Sequence, residues 1–370
     1  MYTFEMNNER KTMNPNAELR AKSPVVEVFS AMVKGESLEK FGAKADPAVA
    51  HIKTLGERAS NGDFGAISEL NEIRRFVIEP LLMEEIRLLS VFGSYQALAW
   101  DDSIEREVYQ HVGERSRIQA PNSDVVFPAT EVERYSVPSF TVSGGYQVDY
   151  RRVALGDMQK ENEGLQQVRV DIMNRAKRAV IAKVYAAIKN ATGVKYHVES
   201  AGLTKSACDT VIGNVRRIGR PTVVGDYALL SQFSPWAGYV GSVNSNTITG
   251  ISDEIMNELM QNGLLGMYNG AVLAEIDNPY DFSNLNAAGT NFQTMLPQGL
   301  GFVLPSGGRS PIATWTRGGL TSFSGNDVKT GRQLTRFDME VAVDVAKGHE
   351  FEIGVLLDTN LTSLAELNKF

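Results

Sequence analysis

The sequence predicts an α+β chain in which one long helix and a set of strands share the main core. Three observations carry that reading. Between Asp157 and Thr192, Leu165, Val168, Ile172, Ala176, Ala179, Val180, Val184, Ala187, Ile188 and Ala191 keep the spacing of a helix face. From Ser116 to Val153 the period falls to two, in ERYSV and then SFTVSGGYQVDYRRV. The chain then closes on alternating runs, ATWTRGGLTSF, TRFDMEVAVDVA and EFEIGVLLD.

The elements follow in order. Ser23 before Pro24 is a helix start, because proline suits a first turn that lacks amide partners anyway, and Gly35 stops VVEVFSAMVK. Asp46 and Pro47 repeat that start for AVAHIKTL, with Gly56 as the expected stop. Both apolar faces are narrow, so these helices read as an arm. Phe64, Ile67, Leu70, Ile73 and Val77 share one face of a further helix. Pro80, which cannot donate to the preceding turn, is expected to break it and open LLMEEIRLL. Ser116 to Arg152 reads as a long, largely polar hairpin interrupted at Ser143-Gly144-Gly145. The long helix ends at Gly193, and Asn174 to Lys195 holds six Lys and Arg and no acid. Such a run suits a solvated face near the negative end of a helix, the alternative being a contact with nucleic acid or an acidic partner. Beyond Ser200, SACDTVIGNVRRIG predicts a helix, PTVVGDYALLSQF a buried strand, and ISDEIMNELMQNGLLG another helix. NGAVLAEIDNP and GLGFVLPSG read as short strands, and Ser324-Gly325-Asn326-Asp327 as the turn between two late strands.

Composition narrows the function. The 370 residues suffice for more than one domain. Thirty-seven Lys and Arg against 44 Asp and Glu leave a net charge of −7, which excludes binding nucleic acid by bulk positive charge. Cys208 is the sole cysteine, so neither an intramolecular disulfide nor a thiolate cluster can form, and a small buried side chain is expected. Tyr227 to Ser252 and Phe282 to Gly308 carry no charge, but Ser, Thr, Asn, Gln and Gly lace both, so no membrane contact is expected. The start, MYTFEMNNERKTMN, shows no secretory signal.

Motifs for chemistry are missing. His349-Glu350 opens like a zinc-protease helix, but residue 353 is Ile and the segment alternates like a strand. His51, His111 and His197 lie far apart in sequence. Gly299-Leu300-Gly301 lacks the third glycine of a dinucleotide loop, and neither GxxxxGK nor GxSxG occurs. Asp101 and Asp102 are adjacent, so they do not share a helix face and read as a turn or cap. The expectation is a protein that is not an enzyme, with no cofactor and no catalytic or metal-binding residue.

The order of pieces is informative. YQVDYRRVALGDMQKE leading into VRVDIMNRAKRAVIAKVYAAIKNATGV resembles the strand and spine helix of tailed-phage major capsid proteins with the Hong Kong 97 fold, including the exit through KNATG. PTVVGDYALLSQFS resembles the core strand and helix of that family's axial domain, and LPQGLGFVLPSG and TRFDMEVAVDVA its later strands. The resemblance spans roughly Ile86 to Asp358. It implies an N-terminal helical segment and arm (1–115) and an extended β-hairpin loop (116–152). It further implies a peripheral domain with the spine helix (153–205 and 300–345) and a mixed α/β axial domain (206–299 and 346–370). The implied function is a shell of hexamers and pentamers closing into an icosahedron around packaged double-stranded DNA. The implied partners are further copies of the chain, a portal, scaffold or decoration proteins, and DNA through non-specific contacts. The implied location is the virion, after synthesis in the host bacterial cytoplasm.

Some members of that family weld neighbours through a lysine in the extended loop and an asparagine elsewhere. This chain has no lysine between Lys53 and Lys160, so that weld is not expected. Arg151 and Arg152 at the base of the loop, with Asn326 and Asp327 before the late strands, are the candidate inter-subunit contacts. The leader carries its own capped helices and is expected to stay on the mature subunit. Rival readings are an encapsulin-type compartment shell, another virion component, and a hydrolase whose residues converge only in space.

Overall fold

The computed structural model describes residues 24–33, 36, 38–87, 92–112, 118, 129–149, 151, 158–236, 239–243, 246–250, 264–286, 289–306, 310–327, 329–362 and 367. Helices α1 (Pro24–Val33), α2 (Ala45–Ser60) and α3 (Phe64–Arg87) come first. They are not a loose arm. Val26, Phe29, Ile52, Leu55, Ala59, Leu70 and Val77 are buried in the same cluster as the long helix. Two stop signals also give way to packing. Gly56 is buried inside α2, which runs on to Ser60. Pro80 sits within an unbroken α3. Helix α2 ends instead near Gly62, whose φ of 87° only glycine adopts without strain. The next helix is capped by Asp63, whose Oδ1 accepts from Gly65 N at 2.9 Å.

Strand β1 (Ser94–Leu98) follows, then β2 (Glu105–Val112), β3 (Ala129–Ser136), β4 (Ser139–Asp149) and the long helix α4 (Met158–Asn190). At ~1.5 Å per residue α4 spans about 50 Å. Of the face the periodicity predicts, Leu165, Val168, Ile172, Ala176, Val180, Val184 and Ile188 are buried, while Ala179, Ala187 and Ala191 are half-buried. The chain continues through β5 (Tyr196–Ser200), α5 (Lys205–Arg216), β6 (Arg220–Gly225), α6 (Tyr227–Leu230), β7 (Tyr239–Val243), β8 (Asn246–Gly250), β9 (Met267–Tyr268) and β10 (Ala271–Glu275). It closes with β11 (Tyr280–Leu285), β12 (Phe292–Thr294), β13 (Leu300–Ser306), β14 (Ile312–Asp327), β15 (Arg332–Val345) and β16 (Gly354–Asp358). The helix expected in ISDEIMNELMQNGLLG lies mostly outside the described residues.

Two larger sheets organise these strands. The first has the order β1-β14-β15-β4, and the second β5-β16-β13-β6-β10-β9. Helix α4 lies on the first sheet, and close approach explains two glycines there. A Cβ on Gly144 would stand 2.8 Å from an Ile172 side-chain carbon, and one on Gly164 would stand 2.7 Å from the Tyr146 ring. Helix α5 covers the second sheet with Cys208, Val211, Ile212 and Val215, against Val303 and Leu356. Asp358 ties this region together from a buried position. Its carboxylate accepts from Gly202 N at 2.9 Å, Asn360 N at 2.9 Å and Gln232 Nε2 at 2.7 Å.

Pairing departs from the sequence reading at three places. The expected hairpin within 116–152 pairs differently: β3 pairs with β2, upstream of Ser116, while β4 pairs with β15 along Ser139–Asp149. The reason is patterning, since Val142, Gly144, Tyr146 and Val148 turn one face of β4 toward α4 and the core. Ser324 to Asp327 forms the end of strand β14 rather than a turn, and the turn falls at 329–331. Glu350–Glu352 is a short 3-10 turn rather than strand. The sheets also cross the expected domain boundaries. Strand β13, placed with the peripheral residues, pairs with β6 and β16, and β5 pairs with β16 in that same sheet.

Candidate inter-subunit surfaces

The β2–β3 hairpin is a separate two-stranded sheet, and among the described residues neither of its outer edges has a strand partner. Alternation along β2 gives it two different faces. Ile104, Arg106 and Val108 turn inward and are buried, while Glu105, Glu107 and Tyr109 point out. Glu131, Val132 and Glu133 on β3 are likewise exposed. The base is seated on the outer face of the first sheet, where Ile104 and Val137 pack with Ala313, Trp315 and Ala342.

Polar contacts fix the same base. Arg106, only 8% exposed, donates from Nη1 to the Asp344 backbone oxygen at 2.8 Å and from Nη2 to the Pro311 oxygen at 2.8 Å. Its Nη1 also lies 3.3 Å from the Asp344 carboxylate. The Tyr135 hydroxyl donates to that carboxylate at 2.7 Å. Burial, then the neighbouring Asp344 carboxylate, push the phenol pKa well above its ordinary value, so the hydroxyl stays a donor at any physiological pH. The Lys347 ammonium sits 4.2 Å from the centre of the Tyr135 ring. Sequence reading missed Arg106, Tyr135 and Asp344. The available signal was Arg106 standing between Ile104 and Val108 on the buried phase of an alternating run.

The outer face of the first sheet then changes character along its length. Next to the hairpin base, Arg317 holds Glu340 with Nε at 3.0 Å and Nη2 at 2.6 Å. Farther along the face is open. A broad cleft of about 860 Å³ is lined by Gly145, Gln147, Phe323, Gly325, Leu334 and Arg336. Phe323 is 56% exposed and Leu334 44%.

The four residues singled out from sequence do not gather. Arg151 is exposed, and its backbone amide donates to Asp149 Oδ1 at 2.9 Å. Arg152 lies outside the described residues. Asn326 Nδ2 donates to the Ala59 oxygen at 3.2 Å, tying β14 to α2 inside its own subunit. Asp327 shapes the following turn, accepting from Lys329 N at 3.0 Å and Thr330 Oγ1 at 2.6 Å. The Thr330 hydroxyl, with the Lys329 amide, holds its carboxyl below the usual range.

Other sequence candidates have structural places. Cys208 is fully buried, and burial pushes its thiol up to about 12. Asp102 turns back to accept from Ala99 N at 3.0 Å. His349 Nδ1 meets Glu352 Oε1 at 2.7 Å and His51 Nε2 meets Glu69 Oε1 at 3.3 Å. Among the described residues, no three His, Cys, Asp or Glu side chains gather as a metal site, and no helix is long and apolar enough to cross a membrane.

Solved structures similar to this chain include the asymmetric unit of the mature capsid of bacteriophage PhiM1. That likeness has 14% identity and a TM-score of 0.44 over 74% of this chain and 86% of that one. Mycobacterium phage Adephagia is similar at 12% identity and a TM-score of 0.45, over 72% and 90% of the two chains. The holo-SrpI encapsulin complex from Synechococcus elongatus PCC 7942 is similar at 13% identity and a TM-score of 0.44, over 75% and 89%. Among curated proteins, no relative matches the sequence. Residues 6–357 match the model of the YonB family, described as "SPbeta prophage-derived putative capsid protein YonB". The chain therefore belongs to the YonB family: it is a structural, non-enzymatic phage capsid protein, a component of the virion.

Proposed function

We propose that this chain is the major capsid protein, assembling as hexamers and pentamers into an icosahedral shell around packaged double-stranded DNA. The observation that supports it best is the β2–β3 hairpin. A lone two-stranded ribbon is close to zero net stability in water and its free edges invite pairing. Here the base is anchored by buried groups while Tyr109 and Val132, farther out, stay 37% and 49% exposed. Such a ribbon gains its missing burial from a neighbouring subunit. In this reading the hairpin with the segment leading to β4 is the extended loop. The α4 sheet is the core of the peripheral domain, and the six-stranded sheet is the core of the axial domain. Arg151, Arg152, Asn326 and Asp327 remain contact candidates at subunit borders. A portal, and scaffold or decoration proteins, complete the particle, which is built in the host bacterial cytoplasm. DNA meets an acidic chain only through non-specific contacts.

The test is electron microscopy of the expressed chain beside a variant with a shortened hairpin. Tyr109 and Val132 face each other in the register, so an Asn-Gly turn can join them directly. The full chain should form closed shells, and the variant should fold but stop at monomers or isolated capsomers. Shells of normal diameter from the variant would sink the role given to the hairpin. Particles that hold a protein cargo instead of DNA when made in the phage's host would favour the compartment reading.

A further inference from the structure

The second exposed hairpin, β11–β12, has a different construction. Its register sets Tyr280 opposite Thr294 and Leu285 opposite Phe292, with a bulge between. Tyr280, Phe282, Leu285 and Phe292 consequently share one face, at exposures of 44%, 75%, 59% and 40%. Phe282 and Phe292 meet edge to face with ring centres 5.3 Å apart. The opposite face is polar, with Asn284 Nδ2 donating to Asp281 Oδ2 at 2.8 Å.

This hairpin is held rigidly with its apolar face toward solvent. At the turn, the Asn286 side-chain oxygen accepts from Thr290 N at 2.9 Å, and the Asn286 amide donates to the Asn291 oxygen at 2.8 Å. At the base, Asn278 acts as a clamp between three groups. Its Nδ2 donates to Asp226 Oδ2 at 2.6 Å and to the Leu296 oxygen at 3.0 Å, and its Oδ1 accepts from Leu296 N at 2.8 Å. Asp226 is itself fixed, because its other oxygen caps α6 through Ala228 N. Ordering a face before it meets a partner lowers the entropy cost of binding.

We propose that the aromatic face of β11–β12 docks on a second copy of this chain within the shell. The proposal rests on the shell reading above. Two arguments identify the occupant. Asp281 is the hairpin's only charged residue and lies on its polar face, and no charge follows from Phe282 to Gly308, so the element offers nothing to a phosphate backbone. Four side chains at these exposures present on the order of 400 Å², about half of what one partner gives to a standard stable interface. That is too small for a partner held by this face alone. It suits a contact repeated among subunits already tethered by other contacts, where linked weak sites multiply.

The test places a photo-crosslinking p-benzoylphenylalanine at residue 282 of the full-length chain and irradiates assembled particles and unassembled subunits at equal concentration. An adduct of twice the subunit mass from particles only is expected. No adduct, or an adduct with a polypeptide of different mass in host-made particles, overturns the proposal. The double variant Phe282→Ser, Phe292→Ser should keep the far-ultraviolet circular dichroism of the parent. Half-assembly should then need about tenfold more subunit. Assembly at the parent's concentration overturns the proposal as well. Failure of the unaltered chain to form particles would instead defeat the shell reading.

Discussion

Arg106 and Asp344 lie 238 residues apart in sequence, and a guanidinium nitrogen of one lies 3.3 Å from the carboxylate of the other. This pair closes the base of the β2–β3 hairpin onto the end of β15. It makes the direction in which the hairpin leaves the subunit a property of the core rather than of a loose loop. Replacing Arg106 by Leu removes a donor from the Asp344 oxygen, from the Asp344 carboxylate and from the Pro311 oxygen, which keeps the Ala346 amide at 2.8 Å. A loss of about 3 kcal/mol is expected in urea unfolding of the unassembled subunit. Arg106→Lys should lose less, since an ammonium reaches some of those oxygens. A Leu variant as stable as the parent would show that the latch carries no weight.

The Arg317–Glu340 pair sets an acid limit. Hydrogen bonds from Arg317, with a smaller one from Ser139, hold the Glu340 carboxyl below its ordinary 4.5 against the opposing effect of burial. A depressed folded-state pKa means the unfolded chain takes up the proton first as pH falls. The pair's stabilisation is therefore complete above about pH 4.5 and is lost as pH drops through the lower folded value. Unfolding free energy measured from pH 6 to pH 3 should fall less steeply in Glu340→Gln than in the parent. Parallel curves would remove Glu340 from the acid limb.

Burial of α1 and α2 argues that residues 24–60 stay with the shell. Phe29 is 3% exposed and Leu55 1%, both in the core that α4 shares. Phe29→Ala should cost about 3–4 kcal/mol through lost burial and the cavity left behind. Intact-mass measurement of mature particles should show a subunit that retains this segment. A dominant species cut after Ser60 would contradict it.

Covalent welding of the lysine–asparagine type is not expected. No lysine lies between Lys53 and Lys160, and Asn326 donates its amide hydrogen to Ala59 of its own subunit. Boiled particles should run as monomers on a denaturing gel. A ladder at pentamer and hexamer masses would reveal another covalent chemistry.

Local pattern alone determined much of this protein. The buried stripe of α4, the alternation of β15, the burial of Cys208 and the lack of any catalytic motif were legible, because each follows from side-chain period or residue type within one segment. Tertiary structure decided the rest. Gly56 and Pro80 read as breakers, yet both helices run through them because packing of their apolar faces outweighs a local cost of about 1–3 kcal/mol. Strand partners were equally out of reach. A run such as SFTVSGGYQVD shows which of its faces is apolar but not which distant strand supplies its hydrogen bonds, so β4 read as half of a ribbon until β15 claimed it. The hairpin latch is the extreme case, since Arg106, Tyr135 and Asp344 meet only after β2, β3 and β15 have been brought together by burial that no one of those segments encodes.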